Sequence, residues 1–232
     1  MENTNNDINK IKKKSTIREY AEALAIAVIL ALFIRTFIIQ AFKIPSGSMK
    51  STLLIGDHLL VNKFIYGIRV PFIDKHIIQF KKPERGDVVV FKWPEDESKD
   101  FIKRVVGIEG DIIEIKDDTL YVNNERIEHT LIDKFSDESV RDADVFEEVL
   151  DGNRHFILDQ IAKKENYGPV TVPENSIFVM GDNRDNSQDS RYWENESFVK
   201  LEKIKGKALI IYWSWSNWKS WPRWKRFLKI IR

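Results

Sequence analysis

The sequence predicts a mostly β fold that follows one N-terminal transmembrane helix. Residues 23–39 form an apolar run whose only charge is Arg35. From residue 45 to residue 212 the apolar runs are short, rich in β-branched residues and bounded by Gly, Asn and Asp, which is typical of strands joined by turns. Residues 128–170 are strongly charged and weakly patterned, which indicates an inserted subdomain within the β-rich body.

The N-terminal region divides into a basic leader at residues 1–20 and a predicted membrane anchor at residues 21–40. The apolar run is near the lower length limit for a spanning helix, and Arg35 near its end can reach the headgroups. The positive-inside rule places the leader in the cytoplasm and the rest of the chain outside it. A buried core helix and a cleaved signal peptide are the alternatives, although no small-residue cleavage site follows the run.

The body at residues 41–211 contains the predicted strands, and Asn123-Asn124 is a hairpin signal between two of them. Within the insertion, residues 144–150 are interpreted as partly helical. The predicted strands cover residues 57–62, 87–91, 101–108, 111–115, 119–122 and 176–180.

The tail at residues 212–232 holds five of the seven tryptophans and six Lys or Arg residues, without an acid. Indole rings and cations together suit the interface of a phospholipid bilayer, so a peripheral membrane contact is predicted. The alternative is a last strand followed by a disordered basic tail.

Composition excludes several classes of protein. The chain has no cysteine, so it has no disulfide, thiol nucleophile or thiolate zinc site, and its four histidines lack metal-binding spacing. The 37 Lys and Arg residues balance 36 Asp and Glu residues, which argues against a generally basic nucleic-acid binder. We therefore expect no metal, no cofactor and no nucleic acid, and nothing demands more than a monomer.

Three segments contain residues suited to chemistry. Ser46-Gly47-Ser48 combines hydroxyls with a glycine, as an oxyanion site requires, although an ordinary turn explains it equally well. Lys103 and Arg104 are adjacent on a predicted strand, so one of them should face inward and the other water. An inward lysine loses its charge more easily and can serve as a general base, but a lysine that extends to solvent is the commoner case.

The third segment, residues 181–191, is rich in Asn, Asp and Ser. A calcium loop is disfavoured, because Gln188 takes the place of the required glycine and Arg191 is a poor neighbour for a cation. A self-bonded loop with Asp182 or Asp189 paired to an arginine is favoured.

Taken together and in this order, these segments resemble bacterial type I signal peptidases, a family of membrane-bound Ser/Lys proteases. The matching blocks are residues 44–49, 56–61, 85–92, 100–111 and 181–193. The resemblance implies a membrane-associated, mainly antiparallel β-sheet catalytic domain outside the cytoplasm, attached to the bacterial plasma membrane by a single span.

The resemblance also implies roles for individual residues. Ser48 would be the nucleophile, Lys103 its general base, Ser46 a side-chain oxyanion donor beside the Ser48 N–H, and Ser187 the hydroxyl that orients the lysine. Asp182, Asp189 and Arg191 would hold their loop in shape.

The implied substrates are the signal peptides of secretory precursors, cleaved after small-x-small sites. Four residues match the family's positions for the pockets that accept small side chains, and the precursor would add as a strand near Val88 and Lys103. These pocket residues are Phe42, Ile44, Leu59 and Ile102. Two alternatives stay open: a catalytically silent, membrane-tethered binding module with the same fold, and a self-cleaving Ser/Lys regulator, which would need an N-terminal DNA-binding domain.

Overall fold

The structure is a computed structural model that describes residues 16–69, 76–135, 143–159, 164–216 and 219–231. It begins with helix α1, Thr16–Phe37, in which no residue is buried. Within the described residues this is the one helix long and apolar enough to cross a membrane. Its 22 residues measure about 33 Å, which matches the hydrocarbon thickness of a bilayer. The exposure disagrees with the core-helix alternative, and the predicted basic leader falls mostly outside the described residues.

The helix ends three residues before the predicted limit of the anchor, because the chain enters a strand at Ile39. The strands that follow, in chain order, are β1 Ile39–Lys43, β2 Asp57–Asn62, β3 Gly67–Arg69, β4 His76–Gln79, β5 Val88–Trp93, β6 Asp96–Ile108, β7 Ile112–Lys116, β8 Thr119–Val122, β9 Glu125–Arg126, β10 His129–Phe135, β11 Ala143–Leu150, β12 Asn153–Asp159, β13 Tyr167–Thr171, β14 Ser176–Met180, β15 Val199–Lys200, β16 Ile204–Ser214 and β17 Lys229–Ile230. All their pairings are antiparallel, so the predicted fold, a mostly β domain after one apolar helix, is confirmed.

The largest sheet has eight strands and carries the predicted site residues. Its order is β1-β2-β16-β5-β6-β14-β15, and β17 pairs with β16. Strand β6 lies inside this sheet, with Val88 opposite Arg104 on one side and Met180 opposite Arg104 on the other. Residues 102–107 of β6 are all buried, so protein covers both faces of the sheet along this part of the strand.

Smaller sheets surround this one. Strands β13, β7, β8 and β9 form a four-stranded sheet, and the predicted hairpin at Asn123-Asn124 connects β8 to β9. The insertion contributes a three-stranded meander of β10, β11 and β12. The expectation of helix at residues 144–150 is wrong, because this segment is the middle strand of the meander and is paired along both edges.

The tail folds back onto the main sheet. Strand β16 continues to Ser214, and β17 returns to pair with Ile210 and Ile211, so that Ile231 is buried. The alternative of a disordered basic tail is therefore wrong for residues 219–231. Several apolar side chains of the tail remain exposed, among them Trp221 and Trp224.

Candidate active site

Ser48 lies in a tightly bonded turn between β1 and β2, which we call the Ser48 turn (residues 44–53). The N–H of Lys50 donates to the carbonyl of Gly47 at 3.0 Å, and the N–H of Leu53 donates to that of Met49 at 2.7 Å. Met49 and Leu53 point into the hydrophobic core and anchor the turn. Ser48 itself is only 8% exposed, so the fold holds its hydroxyl in a defined place.

Lys103 approaches this serine from β6. Its Nζ lies 2.7 Å from the Oγ of Ser48, although the two residues are 55 positions apart in the sequence. The lysine is 3% exposed, and its Nζ lies 5.2 Å from the centre of the Phe101 ring. A hydroxyl and an amine in direct contact form a nucleophile–base pair of the kind used in covalent catalysis.

Burial lowers the pKa of Lys103 to about 8, because the charged amine loses its hydration. The carboxylates of Asp189 and Asp182 act in the opposite direction, and Arg191 adds to the lowering. A large share of the amine is therefore neutral slightly above neutral pH, as a general base requires.

The two other serines predicted for the site, Ser46 and Ser187, both lie near Ser48. The hydroxyl of Ser46 is 3.5 Å from that of Ser48. The Oγ of Ser187 is buried and has no hydrogen-bond partner among the described residues, Lys103 included. It lies across Gly181 from the Ser48 backbone, since a Cβ added to Gly181 would stand 2.2 Å from this hydroxyl and 2.5 Å from the Ser48 carbonyl oxygen. The oxyanion and orienting roles of these serines stay predictions.

The 181–191 loop is held by its own side chains. The guanidinium of Arg191 donates to both carboxylate oxygens of Asp189, at 2.8 and 2.9 Å, and Asp189 also accepts the N–H of Gly181 at 2.9 Å. Burial alone would raise the pKa of Asp189, but the Arg191 guanidinium outweighs it and the pKa is lowered. Asp189 thus stays ionised near Lys103, and the positive charge of Arg191 balances its negative charge.

The expectation that one of the two adjacent cations on β6 faces water is wrong. Arg104 is 1% exposed and donates to both oxygens of Asp182, at 2.8 and 2.7 Å. The reason is that the hydrophobic core covers the face of β6 opposite Lys103, where Ile102 packs with Met49 and Leu53. The sequence alone gave no role to Arg104, although its neighbour Asp182 was expected to pair with an arginine.

A cavity of about 460 Å³ opens in front of Ser48 and Lys103. Its lining combines apolar side chains with three side-chain amides. Its lining residues are Pro45, Ser46, Gly47, Ser48, Ile55, Phe101, Lys103, Asn183, Asn186 and Gln188.

None of the four predicted pocket residues is part of this lining. Ile44, Leu59 and Ile102 lie in the hydrophobic core, and Phe42 packs against this core cluster. The alternation of a strand explains the difference for β6, because Phe101 and Lys103 face the cavity while Ile102 faces the opposite side. The assignment of these four residues to substrate pockets stays a prediction.

The edge of β6 near Lys103 is available for a further strand. Among the described strands, β14 pairs with β6 only as far as Arg104, whereas β5 is paired to β6 on one side and β16 on the other. Of the two edges predicted for an added strand, the one at Lys103 has no partner strand among the described residues, and on β5 the pairing with β16 covers residues 89–91 and stops short of Val88.

Comparisons with known proteins identify the family of this chain. The family described as signal peptidase, peptidase S26, matches residues 17–213. The chain belongs to this family. Signal peptidase I of Pseudomonas fluorescens is 39% identical over 218 residues, which cover 90% of this chain and 76% of that protein. Signal peptidase I of Pseudomonas aeruginosa is 37% identical over 220 residues, which cover 90% of this chain and 77% of that protein.

A crystal structure of a signal peptidase I from Enterococcus faecalis V583 aligns with 56% of this chain and 98% of that chain, at 28% identity and a TM-score of 0.36. Membership in the signal peptidase family confirms the resemblance found in the sequence and the prediction of a hydrolase. Among the described residues no group of His, Asp and Glu could hold a metal ion.

Proposed function

We propose that this chain removes N-terminal signal peptides from secretory precursors, with Ser48 as nucleophile and Lys103 as general base. Its family and the signal peptidase I relatives support the substrate class. The contact of 2.7 Å between Lys103 Nζ and Ser48 Oγ is the observation that carries the mechanism. Burial of the amine supports it further, because a permanently charged lysine could not accept a proton.

In the first step, neutral Lys103 accepts the proton of the Ser48 hydroxyl as the oxygen attacks the carbonyl carbon of the scissile bond. The resulting ammonium returns this proton to the leaving amine when the C–N bond breaks, and an ester to Ser48 remains. Lys103 then takes a proton from water, which attacks the ester. The products are the signal peptide with a free C-terminal carboxylate and the mature protein with a free N-terminal amine, and the serine regains its proton.

The negative charge on the carbonyl oxygen needs hydrogen-bond donors during both steps. The Ser48 N–H and the Ser46 hydroxyl are the donors we propose, since both adjoin the nucleophile and face the cavity. Ser187 would orient the amine of Lys103 from the other side of Gly181.

We further propose that cleavage follows small-x-small sites. The support for this is that Phe42, Ile44, Leu59 and Ile102 match the family's pocket positions and pack in one hydrophobic cluster with Met49 of the Ser48 turn. The open edge of β6 would bind the precursor as an added strand.

For localisation, we propose that α1 anchors the chain in the bacterial plasma membrane with its N-terminus in the cytoplasm. The exposed tail side chains Trp221, Trp224 and Leu228 would provide the second, peripheral contact. Replacing both tryptophans by serine, with α1 removed, tests the tail: binding to anionic liposomes should fall, and unchanged binding would remove this part of the proposal.

The test of the mechanism uses the full chain in detergent and a secretory precursor with an Ala-x-Ala site. Wild-type protein should cleave after that site, while Ser48→Ala and Lys103→Ala should lose about 10²- to 10⁴-fold in rate. Below about pH 8 the rate kcat/KM should fall tenfold for each pH unit, because only the neutral amine is active.

The alternatives predict different results in the same experiment. If all three proteins are inert while the precursor still binds, the silent binding module is favoured. If Lys103→Ala keeps full activity, another group is the base and the mechanism is wrong.

A further inference from the structure

Asn183 makes two hydrogen bonds to the backbone of the Ser48 turn. Its own N–H donates to the carbonyl of Ser48 at 3.0 Å, and its side-chain Nδ2 donates to the carbonyl of Gly47, also at 3.0 Å. Asn183 is 2% exposed, so these bonds are shielded from water. One residue thus binds both carbonyl groups that flank the nucleophile's own N–H.

The backbone around Asn183 leaves its side chain free for this contact. Asn183 precedes the short 3-10 helix Arg184–Asn186, where an asparagine usually caps the helix with its side-chain oxygen. Here no side-chain cap is formed. The backbone is held instead by a bridge to Leu158 and by the N–H of Asn186, which donates to the Asn183 carbonyl at 3.1 Å. The backbone of Asn183 is therefore held in place, and its side-chain amide is free to bind the Gly47 carbonyl.

The Gly47 carbonyl accepts this bond in addition to the turn's own bond from the Lys50 N–H, and its direction sets that of the next N–H. A trans peptide is planar, and its C=O and N–H point in opposite directions. Holding the Gly47 carbonyl on the Asn183 side therefore turns the Ser48 N–H away from Asn183. Within the described part of the chain this N–H has no hydrogen bond, and the residues on both sides of it line the cavity.

We propose that Asn183 is a positioning residue that orients the Ser48 N–H toward the oxyanion through its hydrogen bond to the Gly47 carbonyl. This inference rests on the proposed function, in which that N–H is an oxyanion donor. Asn183 does not touch the reacting atoms in this mechanism. Its contribution is realised in the transition state, where a donor must meet a charge that the bound substrate does not yet carry.

The test compares Asn183→Ala and Asn183→Asp with wild-type protein on the Ala-x-Ala precursor. Both variants lose the Nδ2 donor but keep the backbone N–H that binds the Ser48 carbonyl. We expect kcat to fall by about 10- to 100-fold, somewhat less than the loss of a whole oxyanion donor, with KM changed by less than about twofold. Asn195→Ala is the matched control, because Asn195 is an exposed asparagine that is not part of the cavity lining, and it should keep kcat.

A second readout separates positioning from general damage to the fold. A peptide aldehyde ending in Ala-x-Ala adds to the serine hydroxyl and places an oxyanion in the site, so it acts as an analogue of the transition state. Its inhibition constant should rise in both Asn183 variants by about the factor that kcat loses, while the pH midpoint near 8 stays in place in Asn183→Ala, which adds no charge.

Three outcomes decide the matter. Unchanged kcat in both variants overturns the inference even if Ser48→Ala is inactive. A fall in kcat without any weakening of the aldehyde overturns it as well, since the damage then lies elsewhere. If Ser48→Ala cleaves at the wild-type rate, the proposed function itself fails, and the inference fails with it.

Discussion

Lys103 and Arg104 are neighbours on one strand and both are buried, but only Arg104 has a carboxylate partner. Arg104 donates to both oxygens of Asp182 and, through Nη1, to the carbonyl of Gly86 at 2.7 Å. Lys103 has no ion pair among the described residues and contacts the Ser48 hydroxyl. A buried cation with a matched carboxylate stays charged and structural, whereas one without it loses charge readily and becomes available for proton transfer.

The carboxylates near the lysine strengthen this contrast. Asp182 and Asp189 both raise the pKa of Lys103, and an unpaired carboxylate at either position would raise it further. Each acid is bound by its own arginine, Arg104 and Arg191 respectively. Because each carboxylate is paired with an arginine, burial remains the largest influence on the pKa of Lys103.

The largest expected effect is the loss of cleavage activity when Lys103 is replaced by arginine, the residue type at position 104. In Lys103→Arg the guanidinium stays protonated at every accessible pH and cannot accept the serine proton. The rate of precursor cleavage should fall by about 10²- to 10⁴-fold. Lys103→Met, which has no titratable group, should lose activity to a similar extent, and an active Lys103→Arg enzyme would contradict the role of the lysine as base.

The reverse test removes the charge of Arg104. In Arg104→Met, Asp182 becomes a buried carboxylate without its partner, and the free energy of unfolding should fall by about 3 to 5 kcal/mol. Urea unfolding of the full chain in detergent measures this. Arg104→Lys keeps the charge but not the two-pronged contact, so it should lose less. A loss below about 1 kcal/mol in Arg104→Met would show that the pair is not the support we describe.

The buried Lys103 should also lower the free energy of unfolding at neutral pH. Its pKa is about 8 in the folded chain and near 10.4 when unfolded, so the unfolded state binds more protons between these values. The free energy of unfolding should therefore rise with pH from 8 to above 10, by about 3 kcal/mol in total. Lys103→Met should lack this rise and be more stable than wild type at pH 7. A parallel pH dependence in the two proteins would contradict the lowered pKa.

The sequence predicted the strand of Lys103 and the pairing of Asp189 with an arginine, because both depend on local pattern. It did not predict that Arg104 is buried, since this requires Asp182 and Thr52, which are 78 and 52 positions away in the sequence, to pack against its guanidinium. The contact between Ser48 and Lys103 joins two distant segments, and only the resemblance to a known family suggested it.

The same reason explains the two errors in secondary structure. The charged sequence of β11 resembles that of a helix, but pairing with β10 and β12 determines its conformation. The basic tail gave no sign of folding back, because its anchor is Asp57, which is buried and lies about 170 residues earlier.

The smallest effect concerns a second arginine that reaches the Ser48 turn. Arg226 in the tail donates to the carbonyl of Thr52 at 2.8 Å, and Arg104 donates to the hydroxyl of the same threonine at 3.3 Å. The two structural arginines thus meet four residues after the nucleophile, and Arg226 also pairs with Asp57. We expect Arg226→Gln to lower the free energy of unfolding by about 1 to 2 kcal/mol.

The matched control is Lys225→Gln, which removes the same charge from an exposed neighbour in the same 3-10 turn, Trp224–Arg226. It should leave both stability and cleavage in detergent unchanged, because its side chain supports nothing in the Ser48 turn. Equal losses in the two variants would mean that the tail acts through its overall charge. A loss confined to Arg226→Gln would mean that the tail, besides any contact with lipid, is part of the scaffold of the active site.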